Sequence, residues 1–106
     1  MTSETLQKLS EILEQRKGAQ ADESYVASLY EAGLDKILDK ISEEANETID
    51  AAYGKDIQHL IHEVADLWFH CMVLLAHKGT SHVQVLAELD KRFGISGLVE
   101  KAQRNG

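Results

Sequence analysis

The stretch DKILDKISEEANETIDAAYGKDIQHLIHEVADLWFHCMVLLAHKG, residues 35–79, reads as two long helices joined at Gly54. In the first, expected over 35–53, Ile37, Ile41, Ala45, Ile49 and Ala52 recur at helical spacing and form an apolar stripe. At 100° per residue, Lys40, Glu44 and Glu47 fall along one flank of that stripe, with Glu43 slightly further round. In the second, expected over 56–78, Leu60, Val64, Leu67, Trp68, Cys71 and Leu75 form the stripe, and Glu63, Asp66 and His70 lie along its flank. Each helix is thus expected to carry an acidic row at the border of its buried face. A short turn at Gly54 makes the two helices antiparallel neighbours.

The same punctuation continues outward. Gly18, Gly33, Gly54, Gly79 and Gly94 each follow a helical segment, where a terminating glycine belongs. Asp22, Asp35, Asp56, Ser81 and Ser96 precede the next segment as N-caps, and Ser81 with Gln84 has the spacing of a capping box. These signals predict helices near 3–17, 23–32, 35–53, 56–78, 81–93 and 96–104. The fold class is therefore an all-α helical bundle. With no long loop, repeat or proline-rich linker, residues 1–106 read as a single domain. Leu67 to Ala76 (LWFHCMVLLA) is apolar almost all round, and a helix that is apolar on every side needs cover on every side. In a chain of 106 residues that cover is expected from a second subunit, a homodimer.

Bulk composition narrows the functional classes. The formal net charge of −7 argues against binding to a nucleic-acid backbone. It leaves nucleotides open, because a bound divalent cation reverses the local field. The single cysteine, Cys71, cannot form an internal disulfide, which fits a reducing cytoplasm. MTSETLQKLSEILEQRK at the N-terminus has no apolar signal core. The apolar run from Val64 to Ala76 is interrupted by Asp66 and His70 and is too short to span a bilayer, so no membrane association is expected.

The chemistry concentrates in Glu43-Glu44-Ala45-Asn46-Glu47 and Glu63-Val64-Ala65-Asp66. Residues three apart on a helix are surface neighbours, so Glu44 can act with Glu47 and Glu63 with Asp66. Two such pairs on facing helices make a four-carboxylate cage, and an all-oxygen donor set suits Mg²⁺ or Mn²⁺. One ExxE alone is usually a solvated helix face. Here the pairs fall on consecutive helices beside the apolar stripe, and Glu43, Glu44 and Glu47 repel one another with only Lys40 and Lys55 near in sequence to balance them. A di-iron bundle would use Glu-x-x-His, and that pattern is absent. His59 and His62 read as exposed polar residues rather than zinc ligands. His70, one turn from Asp66, reads either as a neighbour of the site or as a core histidine with satisfied hydrogen bonds.

EExxE followed by ExxD on two helices resembles the all-α nucleoside triphosphate pyrophosphohydrolases of the MazG-type superfamily. Four blocks resemble one family within it, the phosphoribosyl-ATP pyrophosphatases of histidine biosynthesis. They are Ser24-Tyr25-Val26-Ala27-Ser28-Leu29 (SYxxxL), Lys40 to Glu47 (KxxEExxE), Glu63 to His70 (ExADLxxH) and Arg92 to Lys101 (RxxxSGxxEK). The likeness runs from about Leu6 to Arg104; Trp68 and Phe69 are bulkier than its pattern suggests. It implies a bundle completed by dimerisation, in a freestanding form without a fused cyclohydrolase. It also implies Mg²⁺-dependent hydrolysis of phosphoribosyl-ATP to phosphoribosyl-AMP and pyrophosphate. On that reading Glu44, Glu47, Glu63 and Asp66 hold the metal. Glu47 is a candidate to activate water, and Glu43, from its more lateral position, is a candidate for a second metal or for orienting the attacking water. Lys40 is the leading candidate for the substrate's phosphates, with His70, Arg92, Ser96, Gly97, Lys101 and Arg104 as further contributors; Arg16 is as readily a surface charge. A house-cleaning pyrophosphohydrolase of the same superfamily would use the same site, and a non-catalytic helical dimerisation module would leave the acidic rows as solvated faces.

Overall fold

The computed structural model describes residues 3–93, and every regular element among them is helical. Helix α1 spans Glu4–Gln15 and runs into a 3₁₀ turn at Arg16–Gly18; α2 is Tyr25–Ala32, α3 Leu34–Tyr53, α4 Ile57–His77 and α5 His82–Phe93. The expected helix over 96–104, with its signals at Gly94 and Ser96, lies outside the described residues.

Helix types and order follow the sequence reading; several caps do not. Asp56 caps α4 as expected, its Oδ1 accepting from the His59 N–H at 3.2 Å. For α2 the cap is Ser24, not Asp22: the Ser24 hydroxyl accepts from the Ala27 N–H. For α3 it is Gly33, not Asp35, which lies in the first turn. Gly33 ends α2 and begins α3 at once, at φ +97°, a left-handed conformation that only glycine adopts without strain. No residue is left between the two helices for Asp35 to cap. The capping box is also replaced: Ser81 Oγ accepts from Val83 N–H, and the Gln84 N–H bonds the Ser81 carbonyl. Gly79, at φ +80°, closes α4 together with Thr80, whose N–H reaches back to the Leu75 carbonyl.

The scaffold is the antiparallel pair of α3 (20 residues) and α4 (21 residues), joined through Gly54, Lys55 and Asp56. Their packing dominates the contacts between elements. At one end of the pair Ile37 meets Val73, Met72 and Ala76, and Leu13 of α1 with Val26 and Leu29 of α2 complete the core. The middle of the pair, between this core and the turn, carries the acidic residues.

The buried faces depart from the expected stripes. On α3 the buried residues are Ile37, Glu44 and Ala51; Ile49 and Ala52 point to solvent. On α4 they are Glu63, His70, Met72, Val73 and Ala76, while Trp68 is 61% exposed. Glu44 and Glu63 therefore lie within the interface between the helices, not along its border. Of the expected stripes, Ile37 is fully buried while Ile49, Ala52 and Trp68 face away from that interface. A helix this apolar faces more than one neighbour, and a single chain supplies only one long one. Ile49, Tyr53, Ile57, Ile61 and Trp68 remain exposed on the pair, and Val85, Leu86, Leu89 and Phe93 on α5. Within Leu67–Ala76 only His70, Met72, Val73 and Ala76 are buried by the chain itself. The radius of gyration, 16.7 Å, exceeds the roughly 13 Å of a compact chain of this length. No helix among the described residues is long and apolar enough to cross a membrane.

Candidate metal centre

The antiparallel register sets α3 carboxylates against α4 carboxylates. Glu44, Glu47 and Glu63 each present an oxygen within 4.8 Å of the others, and Glu63 and Asp66 form an equally close group with His62. Three of the four expected ligands, Glu44, Glu47 and Glu63, form one trio; Asp66 joins a second trio that shares only Glu63 with the first. Glu44 is 7% exposed and Glu63 8%, and one oxygen of each, Oε2, is buried without a hydrogen-bond partner. Buried polar atoms are nearly always satisfied, so two unpartnered carboxylate oxygens in one cluster are suited to a cation.

Electrostatics carries the same message. Burial raises the pKa of Glu44 above the ordinary carboxylate range; a hydrogen bond with Glu47 and the charges of Glu47 and Asp66 add to the rise, and Lys40 opposes it. Glu63 is raised chiefly by its hydrogen bond with Glu47, then by burial and by the Glu47 charge, against His59 and His62. The donors fit a divalent ion: hard oxygens, two already desolvated and unpaired, on two rigid helices.

The remaining candidates divide. Lys40 Nζ lies 3.0 Å from Glu43 Oε2; this pair raises the lysine's pKa and holds the Glu43 carboxyl low. Glu43 accordingly stands outside both trios, as its helical angle suggested. Buried His70 is anchored at both ring nitrogens. Nδ1 lies 2.9 Å from the Asp66 carbonyl, which can only accept, so Nδ1 carries the hydrogen. Nε2 lies 2.9 Å from the Tyr25 hydroxyl and, with the hydrogen on Nδ1, accepts from it. Glu44 Oε1 is 3.9 Å from Nδ1, too far for a hydrogen bond. His70 is a satisfied core histidine that also forms one wall of the carboxylate cluster. Arg92 pairs with Glu88 on the exposed face of α5, its Nε 3.0 Å from Glu88 Oε1. Arg16 lies in the exposed 3₁₀ turn after α1. Ser96, Gly97, Lys101 and Arg104 lie outside the described residues.

Two residues were absent from the sequence candidates. Tyr25 bonds His70, and its own pKa is raised first by burial, with Lys40, Glu44, Glu43 and Asp66 all close enough to act on it. No periodicity marks a half-exposed tyrosine at the first position of a short helix; its place in the SYxxxL block is the one sequence signal, and its bond to His70 shows only in the fold. His62, read from the sequence as an exposed polar residue and indeed exposed, brings its Nε2 to 3.3 Å from Asp66 Oδ2 at i,i+4 spacing.

An all-α scaffold whose two central antiparallel helices oppose ExxE to ExxD defines a class: the pyrophosphohydrolases of the MazG type. A family model described as phosphoribosyl-ATP pyrophosphohydrolase matches residues 6–93. A protein of Methylococcus capsulatus named phosphoribosyl-ATP pyrophosphatase is 56% identical over 101 residues, which cover 95% of this chain and 96% of that one. One of the same name from Hydrogenovibrio crunogenus is 51% identical over 109 residues, covering 99% and 96%. The chain belongs to the phosphoribosyl-ATP pyrophosphohydrolase family. Membership bears out the resemblance read from the four sequence blocks, and with it a hydrolase of histidine biosynthesis.

Proposed function

We propose that the chain hydrolyses phosphoribosyl-ATP to phosphoribosyl-AMP and pyrophosphate with Mg²⁺, or Mn²⁺ in its stead, held by Glu44, Glu47, Glu63 and Asp66. The observation that carries this reading is the pair of buried, partnerless oxygens on Glu44 and Glu63, within a cluster that Glu47 joins from the exposed side. Bound there, the ion offsets repulsion between the acidic site and the triphosphate and stabilises charge on the departing pyrophosphate. Glu47 is exposed between two buried partners, which suits it to accept a proton from the attacking water. Glu43 is tied to Lys40 and serves as the alternative proton acceptor once that pair opens. Lys40, one turn before Glu44, meets the phosphates by exchanging Glu43 for substrate. His70 and Tyr25 act as positioning residues that hold the wall of the site beside Glu44 and Asp66. Arg92, and from the C-terminal segment Ser96, Gly97, Lys101 and Arg104, are assigned to the substrate on the resemblance alone.

The working unit is a homodimer. The exposed apolar surface of Ile57, Ile61 and Trp68 on α4, and of Leu86, Leu89 and Phe93 on α5, supports cover by a second copy broader than the Leu67–Ala76 segment. A cytoplasmic location fits the pathway. Incubation with phosphoribosyl-ATP and Mg²⁺, with identification of both products, tests the assignment: pyrophosphate and phosphoribosyl-AMP appear together and cease with chelator. Release of single phosphates, or full turnover in excess chelator, contradicts it.

A further inference from the structure

We propose that His62 is a metal ligand: with Glu63 and Asp66 it forms a second cation position, one that takes Mn²⁺, Co²⁺ or Zn²⁺ in preference to Mg²⁺. The inference rests on the reading of the carboxylate cluster as a divalent-cation site and extends it by a nitrogen donor. Three features of the geometry support it. Donor atoms of His62, Glu63 and Asp66 lie within 4.8 Å of one another, and His62 Nε2 stands 3.3 Å from Asp66 Oδ2. Two ligands bound at about 2.1 Å to one ion stand roughly 3.0 Å apart in an octahedron and roughly 3.4 Å apart in a tetrahedron. The observed separation falls in that range.

Glu63 belongs to both trios, is more than nine-tenths buried, and has an oxygen with no partner. A carboxylate offers two oxygens, so Glu63 and Asp66 can each serve both positions, with Glu44 and Glu47 completing one and His62 the other. A plain surface ion pair between His62 and Asp66 contributes little to stability. Finally, the side chains of His62 and Asp66 are 69% and 41% exposed, which leaves coordination sites open to water or to phosphate oxygens. His59 shares the face, but its Nδ1 is 4.0 Å from Glu63 Oε1 and it does not join the trio.

The donor types determine the preference. Mg²⁺ favours oxygen and keeps its waters, whereas imidazole suits the first-row transition ions. The all-oxygen trio of Glu44, Glu47 and Glu63 therefore suits Mg²⁺, and the trio with one nitrogen favours the softer ion.

Metal-free protein titrated with Co²⁺ alone and with Mg²⁺ alone, by calorimetry and visible absorption, tests this in the wild-type chain and in His62→Ala. The wild type takes two equivalents of Co²⁺. In His62→Ala one of them weakens at least about tenfold and the cobalt absorption changes, while Mg²⁺ affinity stays within about twofold. Identical Co²⁺ stoichiometry, affinity and spectrum in both chains, with Mg²⁺ still binding, overturns the role of His62 and leaves the carboxylate site standing. Failure of the wild type to bind either ion overturns the cation reading and this inference with it.

Discussion

Replacing Glu44 by Gln removes one buried negative charge and keeps the side chain's size. In the metal-free protein Glu44 is 7% exposed, with Oε2 unpartnered and Glu47, Glu63 and Asp66 close by. Leaving such an atom unsatisfied costs about 1–3 kcal/mol. A glutamine amide can donate to the neighbouring carboxylates, so the metal-free variant is expected to gain about 1 kcal/mol. For a domain of this size that raises Tm by about 4–8 °C. Magnesium reverses the order. At a hundred times Kd, a ligand that binds only the native state stabilises it by about 2.7 kcal/mol. If loss of one charged ligand weakens binding about a hundredfold, the same Mg²⁺ concentration stabilises the variant by only about 0.4 kcal/mol. The melting temperatures therefore cross: the variant is higher without Mg²⁺ and the wild type higher with it. Turnover of phosphoribosyl-ATP at that Mg²⁺ concentration falls by about a hundredfold or more. Thermal melts with and without Mg²⁺, on both proteins, decide the matter. A metal-free variant that melts below wild type, or equal Mg²⁺ shifts in the two, refutes the account of Glu44 as a desolvated ligand.

The Glu44→Gln advantage depends on pH. Because burial holds the Glu44 pKa above its unfolded value, the folded state retains a proton that the unfolded chain has lost, and wild-type stability declines as pH rises through that interval. Urea titrations of the two metal-free proteins should converge near and below about pH 4.3 and separate as pH increases; a constant gap across the range contradicts this. Tyr25→Phe removes the hydroxyl that donates to His70 Nε2 and leaves a buried nitrogen unpaired, so unfolding free energy should drop by about 1–3 kcal/mol. Equal denaturation midpoints would show that water replaces the bond at no cost. Trp68→Glu places a charge in the exposed apolar face and should convert a dimer to a folded monomer in sedimentation at micromolar concentration, with circular dichroism unchanged. A wild-type chain that already sediments as a monomer sinks that expectation.

Local patterns were enough for the helical class, the order of the described helices and the pairing of carboxylates along each helix. Helix formation depends on residues a few positions apart, and so do the ExxE and ExxD pairs, whose members share a face whatever surrounds them. Asp56 could be read as a cap for the same reason: its partner, the His59 N–H, is three residues away. Caps failed where two helices share a residue, as at Gly33, because the backbone path there depends on how α2 docks on α3. The direction of the buried face was not legible either. Periodicity locates an apolar stripe but not the neighbour that covers it, and burial is a property of pairs of elements. Packing α3 on α4 turned Glu44 and Glu63 inward and left Trp68 outside. That packing gave the cluster its two desolvated, unpartnered oxygens. It also set Tyr25 against His70 across 45 residues of sequence, a separation over which no local pattern extends.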